Sequence, residues 1–337
     1  MRTDAAPVSP VSSAVQVPAA SLVPVATQFL GETTNATPDG AGMVQPSRIA
    51  ASFARAKAEG RTALIPFWTA GYPSLATSEA VVVALARGGA DLIEIGVPFS
   101  DPMADGATVQ RTSQVAIANG VRLVDCLELA RRLRHHHGLT VPLVLMGYYN
   151  PILAFGPARF AGEAAAAGVD GVIVPDLPTE ESDELLTACR AHGRDLIFLV
   201  APTSTDERLA EVSRRASGFI YCVSLTGITG ARRALPDLTG YIERVRRQTD
   251  LPLAVGFGVS TAAHVRQIGA VADGAVIASA MINELEVVAE NEQPAAAEAF
   301  VRGLRGEAGG SADGGAGGDD MVGEVEQTSD QEREPAR

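Results

Sequence analysis

Short apolar runs alternate with longer amphipathic stretches along most of this chain. The apolar runs are rich in Val, Ile and Leu and predict eight β-strands, several of them continuously apolar, as in a parallel sheet covered on both faces. The predicted strands are 63–69, 91–97, 142–148, 171–176, 196–201, 218–224, 252–256 and 274–278. The predicted helices are 75–87, 107–118, 124–136, 157–167, 179–191, 206–215, 237–248, 261–269 and 283–304, after a leading helix near 48–59.

Eight strand–helix repeats predict an α/β fold, a single-domain closed (β/α)₈ TIM barrel whose bottom the leading helix would plug. A doubly wound open sheet is the alternative, and it needs a reversal of strand order that a sequence does not show. Residues 1–46 and 306–337 lack any helical or strand period. We therefore expect a disordered N-terminal extension over 1–46, a TIM-barrel catalytic domain over 47–305 and a disordered acidic, Gly-rich tail over 306–337.

Charge and cysteine content narrow the function classes. The net charge is −13, and the stretch from Gly306 onward contributes nine acidic residues against two arginines, so the barrel is only mildly acidic. This balance argues against nucleic acid as a partner, and the tail is interpreted first as a solvated segment. The three cysteines form no CxxC pair and fit free thiols in a reducing compartment. With no apolar run of membrane-spanning length and no signal peptide, we expect a cytoplasmic protein that does not contact membranes.

The most informative segment is 92–106, where an apolar strand carries a carboxylate and then breaks into a loop that holds a second one. Alternation places Glu94 on the opposite strand face from Ile93 and Ile95, so Glu94 points into the barrel if the isoleucines face helices. Burial there should raise the pKa of Glu94. With Asp105 on the loop able to fold over it, the two carboxylates are candidates for acid–base catalysis, although Asp105 could instead cap the following helix.

Glycines and the scarcity of lysine and histidine indicate what kind of catalysis is available. Loops after the sixth, seventh and eighth strands carry glycines that predict a phosphate site, the usual position for one in a barrel. Lys57 is the only lysine and precedes the first strand, which excludes a Schiff-base aldolase and covalently held pyridoxal phosphate. None of the five histidines ends a predicted strand, so no metal site is expected. Aromatic and apolar residues at strand ends then suggest a substrate with a flat apolar part and a phosphorylated tail.

Four motifs in order make the chain resemble the tryptophan synthase alpha chain family over about residues 48–304. The motifs are Leu92–Pro102 with Ala104–Gly106, Val174–Pro178 with Glu180 and Glu181, Ser224–Ala231, and Gly256–Ser260. The resemblance implies a lyase of tryptophan biosynthesis that cleaves indole-3-glycerol phosphate to indole and glyceraldehyde 3-phosphate by a retro-aldol reaction. It implies Glu94 as general acid/base and Asp105 as the group that hydrogen-bonds the indole N–H. Neither tail belongs to the family pattern.

The resemblance also implies the binding residues and a partner. The implied indole-pocket residues are Phe67, Leu145, Leu199 and Tyr221, and the implied loop and phosphate-binding residues are Thr229, Gly230, Gly258 and Ser279. The family's usual glycine before the serine is Ala278 here. Which of Tyr148 and Tyr149 lines the pocket stays open. An α₂β₂ complex is implied, with no cofactor in this chain, pyridoxal phosphate in the beta chain, and docking through Pro98, Asp101, Asn150 and Pro178.

Three other functions fit parts of the sequence. A different phosphosugar barrel enzyme, such as an isomerase or epimerase, would also use carboxylates and Gly-rich loops. A stand-alone indole-3-glycerol phosphate lyase would turn over fast without a beta chain. A non-catalytic activator of the beta chain would lack the carboxylates, and because Glu94 and Asp105 are both present this alternative is disfavoured.

Overall fold

The computed structural model describes residues 47–224, 237–256 and 258–306. Within them, eight parallel strands form a closed barrel in chain order, each paired with the next and β8 paired with β1. This confirms the TIM barrel and removes the open-sheet alternative. The strands are β1 (Ala63–Thr69), β2 (Ile93–Gly96), β3 (Leu143–Met146), β4 (Gly171–Ile173), β5 (Asp195–Val200), β6 (Ile220–Val223), β7 (Leu253–Gly256) and β8 (Gly274–Ile277).

Twelve α-helices occur in the described part of the chain, most of them connecting consecutive strands outside the barrel. They are α1 (Arg48–Ala58), α2 (Leu75–Arg87), α3 (Ala107–Ala118), α4 (Leu123–His135), α5 (Tyr149–Phe155), α6 (Pro157–Ala166), α7 (Asp183–Ala191), α8 (Asp206–Arg215), α9 (Thr239–Arg246), α10 (Ala262–Gly269), α11 (Ser279–Leu285) and α12 (Gln293–Arg305). Short 3₁₀ turns cover Thr179–Glu181 and Glu290–Glu292. None of the helices described is long and apolar enough to cross a membrane.

Three helical segments differ from the sequence prediction. The stretch predicted as a loop after β3 contains α5. Pro151 does not prevent this helix, because it lies in the first turn, where a backbone N–H would have no partner within the helix. Gly156, with φ of 92°, then separates α5 from α6. The single helix predicted over 283–304 is two helices, α11 and α12, and the predicted helix over 179–191 begins as a 3₁₀ turn.

The barrel interior is an apolar cluster separate from the layer between strands and helices. Its strand residues include Ile65, Val144 and Ile197, while Ile93 and Ile95 pack outward against the helices. As predicted, the leading helix closes the bottom: α1 inserts Phe53 into the interior cluster, where its ring lies 5.5 Å from that of Phe219. The bottom is therefore filled, and the polar loops collect at the opposite end, where the strands finish.

Candidate active site

Glu94 lies on β2 with its side chain in the barrel interior and no exposed surface. The strand register pairs it with Phe67 on β1 and Val144 on β3, so apolar groups flank it on both sides. Neither carboxyl oxygen has a hydrogen-bond partner among the described residues. Burial raises the pKa of Glu94 to about 8, because removal from bulk solvent disfavours the charged form of the carboxyl. The group can therefore be protonated near neutral pH and donate a proton.

Asp105 ends the loop between β2 and α3 and is half-buried. It does not cap the helix: Gly106 is the N-cap of α3 and makes no side-chain capping bond. Its Oδ2 instead accepts a hydrogen bond of 3.2 Å from the Tyr148 hydroxyl. Burial raises the pKa of Asp105 to about 6, and the hydrogen bond from Tyr148 offsets part of that rise. Asp105 is thus ionised at neutral pH, whereas Glu94 is largely protonated.

Of the adjacent residues Tyr148 and Tyr149, Tyr148 is the one that faces the candidate active site. Its hydroxyl also accepts a hydrogen bond of 2.9 Å from the Ala104 backbone N–H, and its ring stacks on Phe99 at 4.9 Å. Tyr149 begins α5 and packs against the outer apolar layer. Tyr148 therefore ties the end of β3 to the loop that carries Asp105.

Two strand-end glycines let large aromatic rings lie flat across the interior. A Cβ on Gly96 would lie 2.4 Å from the Phe67 ring, and one on Gly256 would lie 2.2 Å from the Tyr221 hydroxyl oxygen. Such close approach is possible only where the side chain is a hydrogen atom. Leu199, paired with Tyr221 in the strand register, packs against the interior cluster as well. Phe67, Tyr221 and Leu199 are thus brought to the same apolar interior as Glu94.

Leu145, which was expected in the indole pocket, faces away from the barrel interior. It pairs with Ile95, and both side chains belong to the outer layer against the helices. Met146, which pairs with Gly96 and follows Leu145 on the opposite strand face, contacts the interior cluster as well as the outer layer. Because side chains alternate across a strand, a pocket that contains Glu94 takes Val144 and Met146 from β3 and excludes Leu145. Met146 is the residue that sequence reasoning missed. Alternation indicates that Leu145 and Met146 lie on opposite faces of β3, but only the register against β2 decides which of them faces the side of Glu94.

Two of the four candidate loop and phosphate-binding residues lie in the described part of the chain. Gly258 follows β7 with φ of 81°, a conformation that favours glycine, and Ser279 is the exposed first residue of α11 after β8. Among the described residues, no side chain caps the start of α11. Thr229 and Gly230 lie outside the described residues, as does Phe257. The two described positions share the end of the barrel at which Asp105 lies.

The four residues expected at a partner interface lie on consecutive loops at that same end. Pro98 and Asp101 follow β2, Asn150 is in the first turn of α5 after β3, and Pro178 follows β4. Asp101 and Asn150 are exposed, whereas Pro98 is buried. The loops form one continuous side of the barrel rim, because β2, β3 and β4 are neighbours.

The described residues contain no group of His, Cys, Asp and Glu side chains that could hold a metal ion. Lys57, the only lysine of the chain, is exposed on α1 near the opposite end of the barrel. The site offers a protonated buried carboxyl, an ionised carboxylate held by a tyrosine, and apolar side chains in the barrel interior. This arrangement can donate a proton to an apolar, planar substrate and stabilise a positive charge that develops on it.

Comparison with a family model and with known protein sequences points to one and the same family. The family model described as the tryptophan synthase alpha chain matches residues 53–307. The chain is 56% identical to the tryptophan synthase alpha chain of Roseiflexus sp. (strain RS-1) over 261 residues, covering 77% of this chain and 100% of that protein. The corresponding protein of Chloroflexus aurantiacus is 48% identical over 259 residues, covering 77% and 97%.

Solved structures give the same family. Tryptophan synthase subunit alpha from Legionella pneumophila superposes with a TM-score of 0.72 at 35% identity, covering 77% of this chain and 97% of that one. A Mycobacterium tuberculosis tryptophan synthase structure gives 0.71 at 38% identity, covering 78% and 98%.

Proposed function

The chain belongs to the tryptophan synthase alpha chain family and carries out the alpha reaction of tryptophan synthase, and we propose that Glu94 and Asp105 perform its proton transfers. The reaction cleaves indole-3-glycerol phosphate to indole and glyceraldehyde 3-phosphate. The single observation that supports these roles best is the buried, unpaired carboxyl of Glu94 on the interior face of β2.

In the proposed mechanism, protonated Glu94 donates its proton to C3 of the indole ring. The ring becomes a positively charged indolenine, and ionised Asp105 accepts a hydrogen bond from its N–H and stabilises that charge. The bond between C3 and the glyceryl chain then breaks, and its electrons restore the aromatic indole. The glyceryl hydroxyl becomes the aldehyde carbonyl and gives its proton to Glu94, which is thereby ready for the next turnover.

Substrate binding follows from the same geometry. We propose that Phe67, Leu199, Tyr221 and Met146 hold the indole ring. Tyr221 belongs to the interior cluster and Leu199 and Met146 pack against it, while Phe67 pairs with Glu94 in the strand register and its ring lies against Gly96. Gly258 and Ser279, together with Thr229 and Gly230, are proposed to hold the phosphate through backbone N–H groups and hydroxyls. Because backbone groups suffice, no lysine is required near the phosphate.

A beta-chain partner is implied by the family, and we propose an α₂β₂ complex with pyridoxal phosphate in the beta chain. The proposed docking surface is the rim side that carries Pro98, Asp101, Asn150 and Pro178. It lies next to the loop of Asp105, so docking could change the position of that carboxylate. The segments 1–46 and 306–337 are proposed to be dispensable for catalysis.

The experiment is indole release from indole-3-glycerol phosphate, measured with purified protein alone and then with a pyridoxal-phosphate beta chain. Slow turnover alone and strong activation by the beta chain are expected. Fast turnover alone would identify an independent lyase, and no turnover in either assay would contradict the proposed roles of the carboxylates.

A further inference from the structure

A cationic groove lies at the end of the barrel opposite to the active site. It has a volume of about 1190 Å³ and lies between the ends of α1, α2, α10 and α12 and the starts of β1 and β8. Seven arginine or lysine side chains line it, against three carboxylates. This excess of positive charge is unexpected in a chain whose net charge is −13.

Three of the cations share a single carboxylate. Asp91 is buried, and its oxygens lie 3.5 Å from Arg55, 2.7 Å from Arg61 and 2.6 Å from Arg305. Arg61 also contacts Glu59. One carboxylate cannot neutralise three guanidinium groups, so this part of the groove keeps a net positive charge.

Three more cations have no acidic partner in the part of the chain that the structure describes. Lys57 on α1, Arg87 at the end of α2 and Arg266 on α10 are all exposed, and none makes an ion pair there. Surface charges that are left unpaired on three different helices but point to one groove form a site for an anionic ligand.

The chain supplies such a ligand directly beside the groove. Arg305 lines the groove and ends α12, and Gly306 follows it with φ of 80°. Residues 307–337 contain nine acidic residues and two arginines. These 31 residues can reach about 100 Å when extended, far more than the groove requires.

We propose that the groove lined by Lys57, Arg87 and Arg266 is the docking site of the acidic C-terminal segment 307–337 of the same chain. Because the segment is tethered at the edge of the groove, its local concentration there is on the order of millimolar. The interaction is electrostatic and therefore salt-sensitive, since the Debye length at physiological ionic strength is about 8 Å. It lies away from the active site, so it does not require any change in catalysis.

The single lysine makes a direct test possible. A carbodiimide joins an amine to a carboxylate in contact with it, and Lys57 supplies the only side-chain amine of the protein. We expect full-length protein at low salt to yield a tryptic product in which Lys57 is joined to an acidic residue of 307–337. K57R keeps the charge but removes the amine, so that product must disappear.

Charge reversal tests the groove itself. R87E/R266E leaves Lys57 intact and changes two exposed side chains, so indole release stays at the wild-type level and reports correct folding. The Lys57–tail product should fall at least about fivefold, and high salt should have the same effect in the wild type. R159E/R247E has the same net charge but reverses exposed arginines outside the groove, and it should give the wild-type yield.

Two results would overturn the proposal. One is a yield of the Lys57–tail product that is the same in R87E/R266E as in the R159E/R247E control. The other comes from mixing ¹⁵N-labelled and unlabelled protein: products that join a labelled groove peptide to an unlabelled tail would show that the segment docks on a second copy.

Discussion

The Tyr148 hydroxyl donates a hydrogen bond to Asp105 Oδ2 over 3.2 Å, and so joins the end of β3 to the loop after β2. The same hydroxyl accepts a bond from the Ala104 N–H, which fixes the backbone next to Asp105. One side chain therefore contacts both the carboxylate proposed to face the indole N–H and the backbone next to it, and it lowers the pKa of Asp105 against the rise that burial causes.

Tyr148→Phe should lower kcat by about fivefold, the effect of losing one hydrogen bond of about 1 kcal/mol. Because that bond lowers the pKa of Asp105, its loss should also move the acidic limb of the pH–rate profile to higher pH. Tyr149→Phe is the control, since the Tyr149 hydroxyl makes no hydrogen bond to any described residue. An unchanged acidic limb in Tyr148→Phe would contradict the positioning role.

Glu94→Gln should fold normally and lose nearly all lyase activity, by about 10²-fold or more, because the amide N–H is far too weak an acid to protonate C3. Steady-state kinetics with circular dichroism as a folding check would test this. Turnover above about a tenth of the wild-type rate would refute the role assigned to Glu94.

The buried carboxyl should also give folding stability a pH dependence. Its pKa is raised in the folded protein to about 8, so the stability that it contributes is present below the unfolded pKa of about 4.3. That contribution is lost as pH rises toward 8. Urea unfolding of the wild type between about pH 5 and pH 9 should show a decline that Glu94→Gln lacks. Parallel curves for the two proteins would show that Glu94 is not buried as described.

The two carboxylates predict a bell-shaped profile of kcat/KM. Ionised Asp105 is required, which places the acidic limb near pH 6, and protonated Glu94 is required, which places the basic limb near pH 8. Asp105→Asn should be severely impaired and should lose the acidic limb from its residual activity. If only KM changed, Asp105 would be a binding residue that takes no part in charge stabilisation.

Gly96→Ala should raise KM for indole-3-glycerol phosphate by about tenfold, because its methyl group would overlap the Phe67 ring and force it toward the substrate position. Gly240→Ala in α9 is the matched control, with nothing within 4 Å of the added carbon. Equal KM values for the two variants would argue against Phe67 as part of the indole pocket.

A chain consisting of residues 47–306 should keep its lyase activity within about twofold and nearly the same melting temperature. This expectation holds even if the acidic segment docks in the groove around Lys57, because that groove lies at the end of the barrel away from Glu94. Thermal unfolding and indole release of the shortened chain would check it, and a fall of many degrees would show that a removed segment is packed against the barrel.

The sequence by itself determined the fold class, all eight strands to within a few residues, and the direction of Glu94. Strand periodicity is a local property, and a carboxylate that alternates with isoleucines has only one side on which to lie. The sequence did not predict helix α5, because proline usually ends a helix, although it is tolerated in a first turn, where Pro151 lies.

Tertiary structure alone decided which neighbours meet. The face of Leu145 depends on the register of β3 against β2, and register is set by the closure of the whole barrel. The bond between Tyr148 and Asp105 and the gathering of Lys57, Arg87 and Arg266 join residues far apart in the chain. No local pattern encodes such distances, because they arise only when eight strands close into a ring and bring separate helix ends and loops together.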